Sequence, residues 1–162
     1  MPSYVLGILA QGNCPALVRG GVFSAGGETA ISWDRSGLTD IRHAVKAEAK
    51  RLGCSNARAF LKLSVIVFSA AAEAEDWLIP LECLDTSSDN VWYDAAEGKV
   101  RFCLAANSSR GSSLFELLLQ LSAGEAPEVY PYIAKLKDRA ETEHLSFAAI
   151  KKELSRRLIG PG

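Results

Sequence analysis

Between Leu63 and Ala72 the chain reads Leu-Ser-Val-Ile-Val-Phe-Ser-Ala-Ala-Ala, ten residues without a charge, and this run constrains whatever folds around it. Phe60, Leu63, Ile66, Val67 and Phe68 form an apolar helical stretch, and Ser55 or Asn56 stands where an N-cap belongs. The run is about half of what a bilayer span needs. A helix this apolar has to be covered by protein, which puts it at the centre of a core.

The covering elements can be read on either side of it. Three short strands separated by glycine turns are expected from Tyr4 to Asp34: Tyr4 to Leu9, Ala16 to Arg19, and Glu28 to Trp33. Gly12-Asn13, Gly20-Gly21 and Gly26-Gly27 supply the turns of an antiparallel meander. Leu38, Ile41, Val45 and Leu52 then recur at helical spacing with Arg42, Lys46, Glu48 and Lys50 opposite, and Gly53 ends that helix. Downstream, Asn90 to Tyr93 and Lys99 to Leu104 read as a β-hairpin whose turn, Asp94 to Gly98, takes its left-handed position from Gly98. A polar loop at Asn107 to Ser113 leads to three helices, Leu114 to Leu121, Val129 to Arg139 and Phe147 to Leu158. Ser146 caps the last, and Gly160-Pro161-Gly162 stops it.

The order of elements predicts an α+β fold: an N-terminal antiparallel sheet packed on helices, a small hairpin near 90–104, and a helical C-terminal half. Residues 1–162 read as one domain, β-rich over 1–36 and helical with a hairpin over 37–162. A length of 162 residues with 48% hydrophobic side chains suffices for one sizeable core.

Net charge is -1, which gives no overall attraction to polyanions, so nucleic acid is not an expected partner. Cys14, Cys54, Cys83 and Cys103 lack metal-knuckle spacing and read as buried free thiols, reduced in a cytoplasmic setting with no signal peptide expected. His43 and His144 read as surface residues without a third ligand nearby, so neither a metal nor another cofactor is expected.

The segment from Cys83 to Asn107 resembles the catalytic-loop region of protein kinases. A long apolar helix precedes Cys83-Leu-Asp-Thr-Ser-Ser-Asp-Asn-Val-Trp-Tyr-Asp94, a turn, and Lys99-Val-Arg-Phe-Cys-Leu-Ala-Ala106. The resemblance puts Asp85 at the catalytic aspartate and Asn90 at the magnesium-binding asparagine. It puts Cys103-Leu104-Ala105-Ala106 where the metal-binding Asp-Phe-Gly should stand. With Asp94, the two polar positions form a degenerate kinase loop that matters only if a ligand binds. The early strands carry no lysine to pair nucleotide phosphates, and no phosphate loop or Ala-Pro-Glu element appears. No residue is therefore assigned a catalytic role.

Over most of its length the chain is similar to a bacterial domain family of unknown function found upstream of forkhead-associated domains. That family is itself similar to the pseudokinase-like cytosolic domain of the type VII secretion subunit EssB. The residues that carry the likeness are Tyr4-Val-Leu, Ile31-Ser-Trp-Asp-Arg-Ser-Gly-Leu38, Asp89 to Asp94 with Val100-Arg-Phe-Cys, Leu114 to Leu119, and Val129-Tyr-Pro-Tyr132. The resemblance implies a non-catalytic scaffolding module in a signalling or secretion assembly. The alternative expectation is a nucleotide or small-molecule sensor without turnover.

Glu73, Glu75, Asp76, Glu82, Asp85, Asp89, Asp94 and Glu97 form an acidic tract uninterrupted by lysine or arginine. It reads as a solvated face able to steer a basic protein partner. Trp92 and Tyr93 are neighbours on a strand and point to opposite faces, so with Asp89 they are the candidate partner contacts. Trp33 and Trp77 read as core.

Overall fold

A computed structural model describes residues 2–105 and 113–159. Six helices and two small antiparallel sheets among these residues make the fold α+β. The polar loop expected at Asn107 and the stop at Gly160 lie outside the described residues.

The first element corrects the sequence expectation. Ser3–Gln11 is a helix, α1, and not a strand. Val5 and Leu9, one turn apart, are both buried, and Gly12 closes the helix at φ 70° with its N–H on the Leu9 carbonyl. The run Tyr4 to Leu9 is apolar enough to satisfy either period, and packing on one side selects the helical one.

Strands β1 (Arg19–Ala25) and β2 (Glu28–Asp34) pair as a two-stranded ribbon. Gly26 and Gly27, at φ 60° and 84°, form the two-residue turn that matches strand twist. Ala16 to Val18 is no separate meander strand. It runs beside the later hairpin, where Phe102 donates to the Ala16 carbonyl (2.8 Å) and Val18 donates to the Phe102 carbonyl (2.9 Å).

Helix α2 (Ile41–Leu52) follows a two-residue strand, β3 (Thr39–Asp40). Asp40 caps it by accepting from the Arg42 N–H, and Gly53 at φ 65° ends it. Helix α3 (Asn56–Asp76) has Ser55 as N-cap and is the central helix that its apolar run demands. It packs along α2, α4 (Leu114–Glu125) and α6 (Phe147–Ile159). Phe68 sits between Phe115 and Phe147, with ring centroids at 5.2 and 5.6 Å. Burying such a ring contributes about 2–3 kcal/mol relative to leaving it in water. Helix α5 (Tyr130–Glu143) flanks α4, and Ser146 caps α6 by accepting from the Ala149 N–H.

Strands β4 (Leu84–Asp85), β5 (Val91–Asp94) and β6 (Lys99–Leu104) join β3 in a sheet of order β3-β5-β6-β4. Every pairing is antiparallel, with Trp92 opposite Arg101 and Asp85 opposite Cys103. Strand alternation places Val91, Tyr93, Val100 and Phe102 on one face and Trp92, Asp94, Arg101 and Cys103 on the other. The first set belongs to a continuous buried cluster that runs from Val5 to Leu154.

Candidate functional site

The positions singled out between Asp85 and Asp94 are brought together on and beside the β5–β6 hairpin. Asp85 Oδ1 accepts from the Ser87 N–H (3.0 Å) and hydroxyl (2.7 Å), and Oδ2 accepts from Asn90 Nδ2 (2.8 Å). Asn90 in turn gives its backbone carbonyl to the Cys103 N–H at 3.1 Å. The carboxylate therefore organises its own loop, as short Asp-x-Ser turns do. Asn90 holds that carboxylate and does not project away from it.

Asp94 is engaged just as fully. Arg101 donates to its Oδ2 from Nε (3.3 Å) and Nη2 (3.2 Å), and its Oδ1 accepts from the Glu97 N–H. Arg101 is 8% exposed, and its Nη1 also donates to the carbonyls of Pro15 (2.9 Å) and Leu17 (3.3 Å). Sequence reasoning missed this residue. The signal available was a cation flanked by apolar residues at the third position of the strand Lys-Val-Arg-Phe-Cys-Leu.

The three candidate contact residues have different fates. Asp89 is exposed and pairs with Arg42 Nη1 at 2.9 Å, while the same guanidinium binds Asp40. Arg42 holds the Asp40 carboxyl below its usual range. Trp92 is half-buried, with the Arg35 guanidinium 5.1 Å from its ring centroid, and its buried Nε1 has no hydrogen-bond partner among the described residues. Tyr93 has to be corrected as a surface contact, because it is only 3% exposed. It faces the core beside Val91 and close to the buried carboxylate of Glu48, which Arg51 grips from 2.8 and 2.9 Å. Burial first, and the Glu48 charge second, push the Tyr93 phenol up.

Cys14, Cys83 and Cys103 are buried and Cys54 is partly exposed. Burial raises the first three thiols, Cys103 to about 11. His43 and His144 are exposed, and Trp33 and Trp77 are half-buried against the core. No group of three His, Cys, Asp or Glu among the described residues is arranged to hold a metal ion.

The acidic tract does not form one face. Asp85, Asp94 and Glu97 are drawn into the hairpin network and Asp89 pairs with Arg42, while Glu75, Asp76 and Glu82 lie around the end of α3 without an ion pair among the described residues. Ala106, the last position of the degenerate Asp-Phe-Gly stretch, lies outside the described residues.

A cavity of about 440 Å³ opens between β2, α1 and the end of β6, lined by Leu6, Thr29, Ala30, Ile31, Trp33, Leu104 and Ala105. Its lining includes none of Asp85, Asn90 and Asp94. No described helix is long and apolar enough to cross a membrane. Compared with protein-family models, curated proteins and solved structures, the chain finds no match in any of the three.

Proposed function

We propose that this chain is a non-catalytic interaction or scaffolding module, pseudokinase-like in its order of elements, that serves a bacterial signalling or secretion assembly in the cytoplasm. The observation that carries the reading is that both carboxylate oxygens of Asp85 accept hydrogen bonds from its own loop, one of them from Asn90. Phosphoryl transfer needs a carboxylate free to orient the nucleophile and polar groups free to hold metal and phosphate. Here Asp85 has Ser87 and Asn90 on its two oxygens, Arg101 occupies Asp94, and Cys103-Leu104-Ala105 offers no metal-binding carboxylate. The protein partner is expected to be basic, in keeping with the carboxylates at the end of α3 that have no ion pair among the described residues.

The test is ATP hydrolysis and autophosphorylation in the presence of magnesium, run on the wild type, Asp85→Ala and Asn90→Ala. All three should stay at background. Turnover in the wild type that either substitution abolishes would overturn the reading.

A second reading, a nucleotide or small-molecule sensor without turnover, draws on the cavity between β2 and β6, whose volume suits a small ligand. A ligand that favours the folded state raises the thermal midpoint by mass action. A screen of nucleotides with and without magnesium that moves the midpoint would favour the sensor, and a flat screen would remove it.

A further inference from the structure

The C-terminal end of α3 departs from the rules that stabilise an isolated domain, and the departures converge on one place. Trp77 caps the helix and Leu78 follows it at φ 62°, with its N–H on the Glu75 carbonyl (2.8 Å) and the Ile79 N–H on the Ala74 carbonyl (2.9 Å). Glycine ordinarily fills this left-handed position, because a Cβ crowds the following carbonyl there. Leu78 accepts that strain and recovers nothing by burial, since it is 75% exposed while Ile79 beside it is 1% exposed.

Tyr4 extends the same face. It is 50% exposed, and its hydroxyl donates to the Leu78 carbonyl at 2.9 Å, which joins the start of α1 to the end of α3. Trp77, next to Leu78 in the chain, and Leu81, three residues on, are half-buried. A single exposed leucine would need no explanation, but an exposed leucine and an exposed tyrosine joined by a hydrogen bond, with two half-buried apolar residues close by in the chain, concentrate apolar surface at one place.

The electrostatics around that patch are also unfavourable for the chain alone. Glu75 and Asp76 are exposed in the last turn of α3, where the helix dipole is negative, and no basic side chain accompanies them there. Glu82 is exposed in the 3-10 turn that follows, and α1 carries no charged residue. No lysine or arginine occurs anywhere from Leu63 to Gly98. Proteins tend to break local stability rules where a function requires it.

From these observations we infer that the face formed by Leu78, Tyr4, Trp77 and Leu81, rimmed by Glu75, Asp76 and Glu82, docks a cationic amphipathic helix of a partner protein. Apolar side chains of such a helix cover Leu78 and Tyr4, and its lysines or arginines neutralise the carboxylates at the negative end of α3. An anionic membrane surface is disfavoured by the same rim. The inference rests on the interaction reading above and names the chemistry of the partner.

The probe is a fluorescein-labelled synthetic amphipathic helix of leucine and lysine, titrated against the full chain by fluorescence anisotropy, with a leucine and glutamate helix as control. The lysine helix should bind the wild type, more weakly as salt is raised, and the glutamate helix should not bind. Leu78→Gly should weaken binding about tenfold, the loss expected when most of one leucine contact disappears. Because glycine suits the left-handed position, its thermal midpoint should equal or exceed that of the wild type, so lost binding is not lost folding.

Glu75→Lys with Asp76→Lys should weaken binding at least as much. Glu28→Lys with Glu128→Lys, which changes net charge equally at exposed carboxylates on other elements, should leave most of it. Absence of binding to the wild type, equal binding to the wild type and Leu78→Gly, or equal losses in the two charge variants would each overturn the docking face. None of these would produce ATP turnover, so failure of the face and failure of the non-catalytic reading are told apart by separate measurements.

Discussion

The guanidinium of Arg101 donates to the backbone carbonyl of Pro15 at 2.9 Å, and so ties the hairpin to a segment 86 residues earlier in the chain. The same side chain holds Asp94 and reaches Leu17, so one nearly buried cation satisfies groups on two parts of the fold. Removing it leaves a carboxylate and two carbonyls short of a donor.

Arg101→Met should therefore cost about 3 kcal/mol, the scale on which breaking a buried ion pair falls. Arg101→Lys should recover only part of this, because an ammonium cannot reproduce the planar fork that serves Asp94 and both carbonyls. Urea unfolding of the three proteins measures the differences directly. A loss within about 0.5 kcal/mol for Arg101→Met would mean that water replaces the guanidinium.

Asp85→Ala should behave as a loop mutation. It removes the acceptor of Ser87 and Asn90 and should lower stability by about 1–2 kcal/mol. Asp85→Asn keeps one acceptor oxygen and should lose less. Hydrogen exchange should show faster amide exchange at Ser87, with the interior of α3 unaffected.

Acid sensitivity should come in part from Glu48. The Arg51 hydrogen bonds hold its carboxyl below the usual range, so the unfolded chain takes up the proton first as pH falls. The stabilisation is fully present above the ordinary glutamate value of about 4.3 and is lost as pH drops through the folded one. Glu48→Gln should be less stable than the wild type at neutral pH and should show a shallower decline between about pH 5 and pH 3. Thermal midpoints taken across that range decide it, and parallel declines in the two proteins would remove Glu48 as the cause.

Thiol chemistry should separate one cysteine from three. Thiolate and access are both needed for reaction, and Cys14, Cys83 and Cys103 are buried with raised thiols. Near neutral pH an aromatic disulfide reagent should titrate one thiol quickly in the folded chain and four after denaturation. Peptide mapping should place the fast label on Cys54, which borders a separate cavity beside Arg58 and Lys62. Early labelling of Cys103 would show that the sheet opens far below the energy of global unfolding.

The elements that could be read from sequence were those marked by local chemistry. Ser55 and Ser146 cap their helices, Gly53 ends α2, and Gly98 at φ 65° turns the hairpin. Tyr4 to Leu9 carried no such mark, and its helical form depends on a core built from residues far along the chain. For the same reason alternation set Trp92 and Tyr93 on opposite faces without saying which was inward, since that depends on Glu48 in another element. The meeting of Asp85 with Asn90 followed from their nearness in sequence. The role of Arg101 did not, because its carbonyl partners lie more than half the chain away. The strained leucine after α3 left no trace, because the residue that usually marks a left-handed position is absent there.

The pairing of Ala16 and Val18 with Phe102 also sets an order of events during synthesis. Arg101 closes a span of 84 residues when it reaches Leu17, and the entropy of closing that loop must be met before the contact returns anything. A nascent chain still short of β6 has no strand on which to seat Ala16 to Val18. Those residues therefore cannot take their place before β6 has been synthesised.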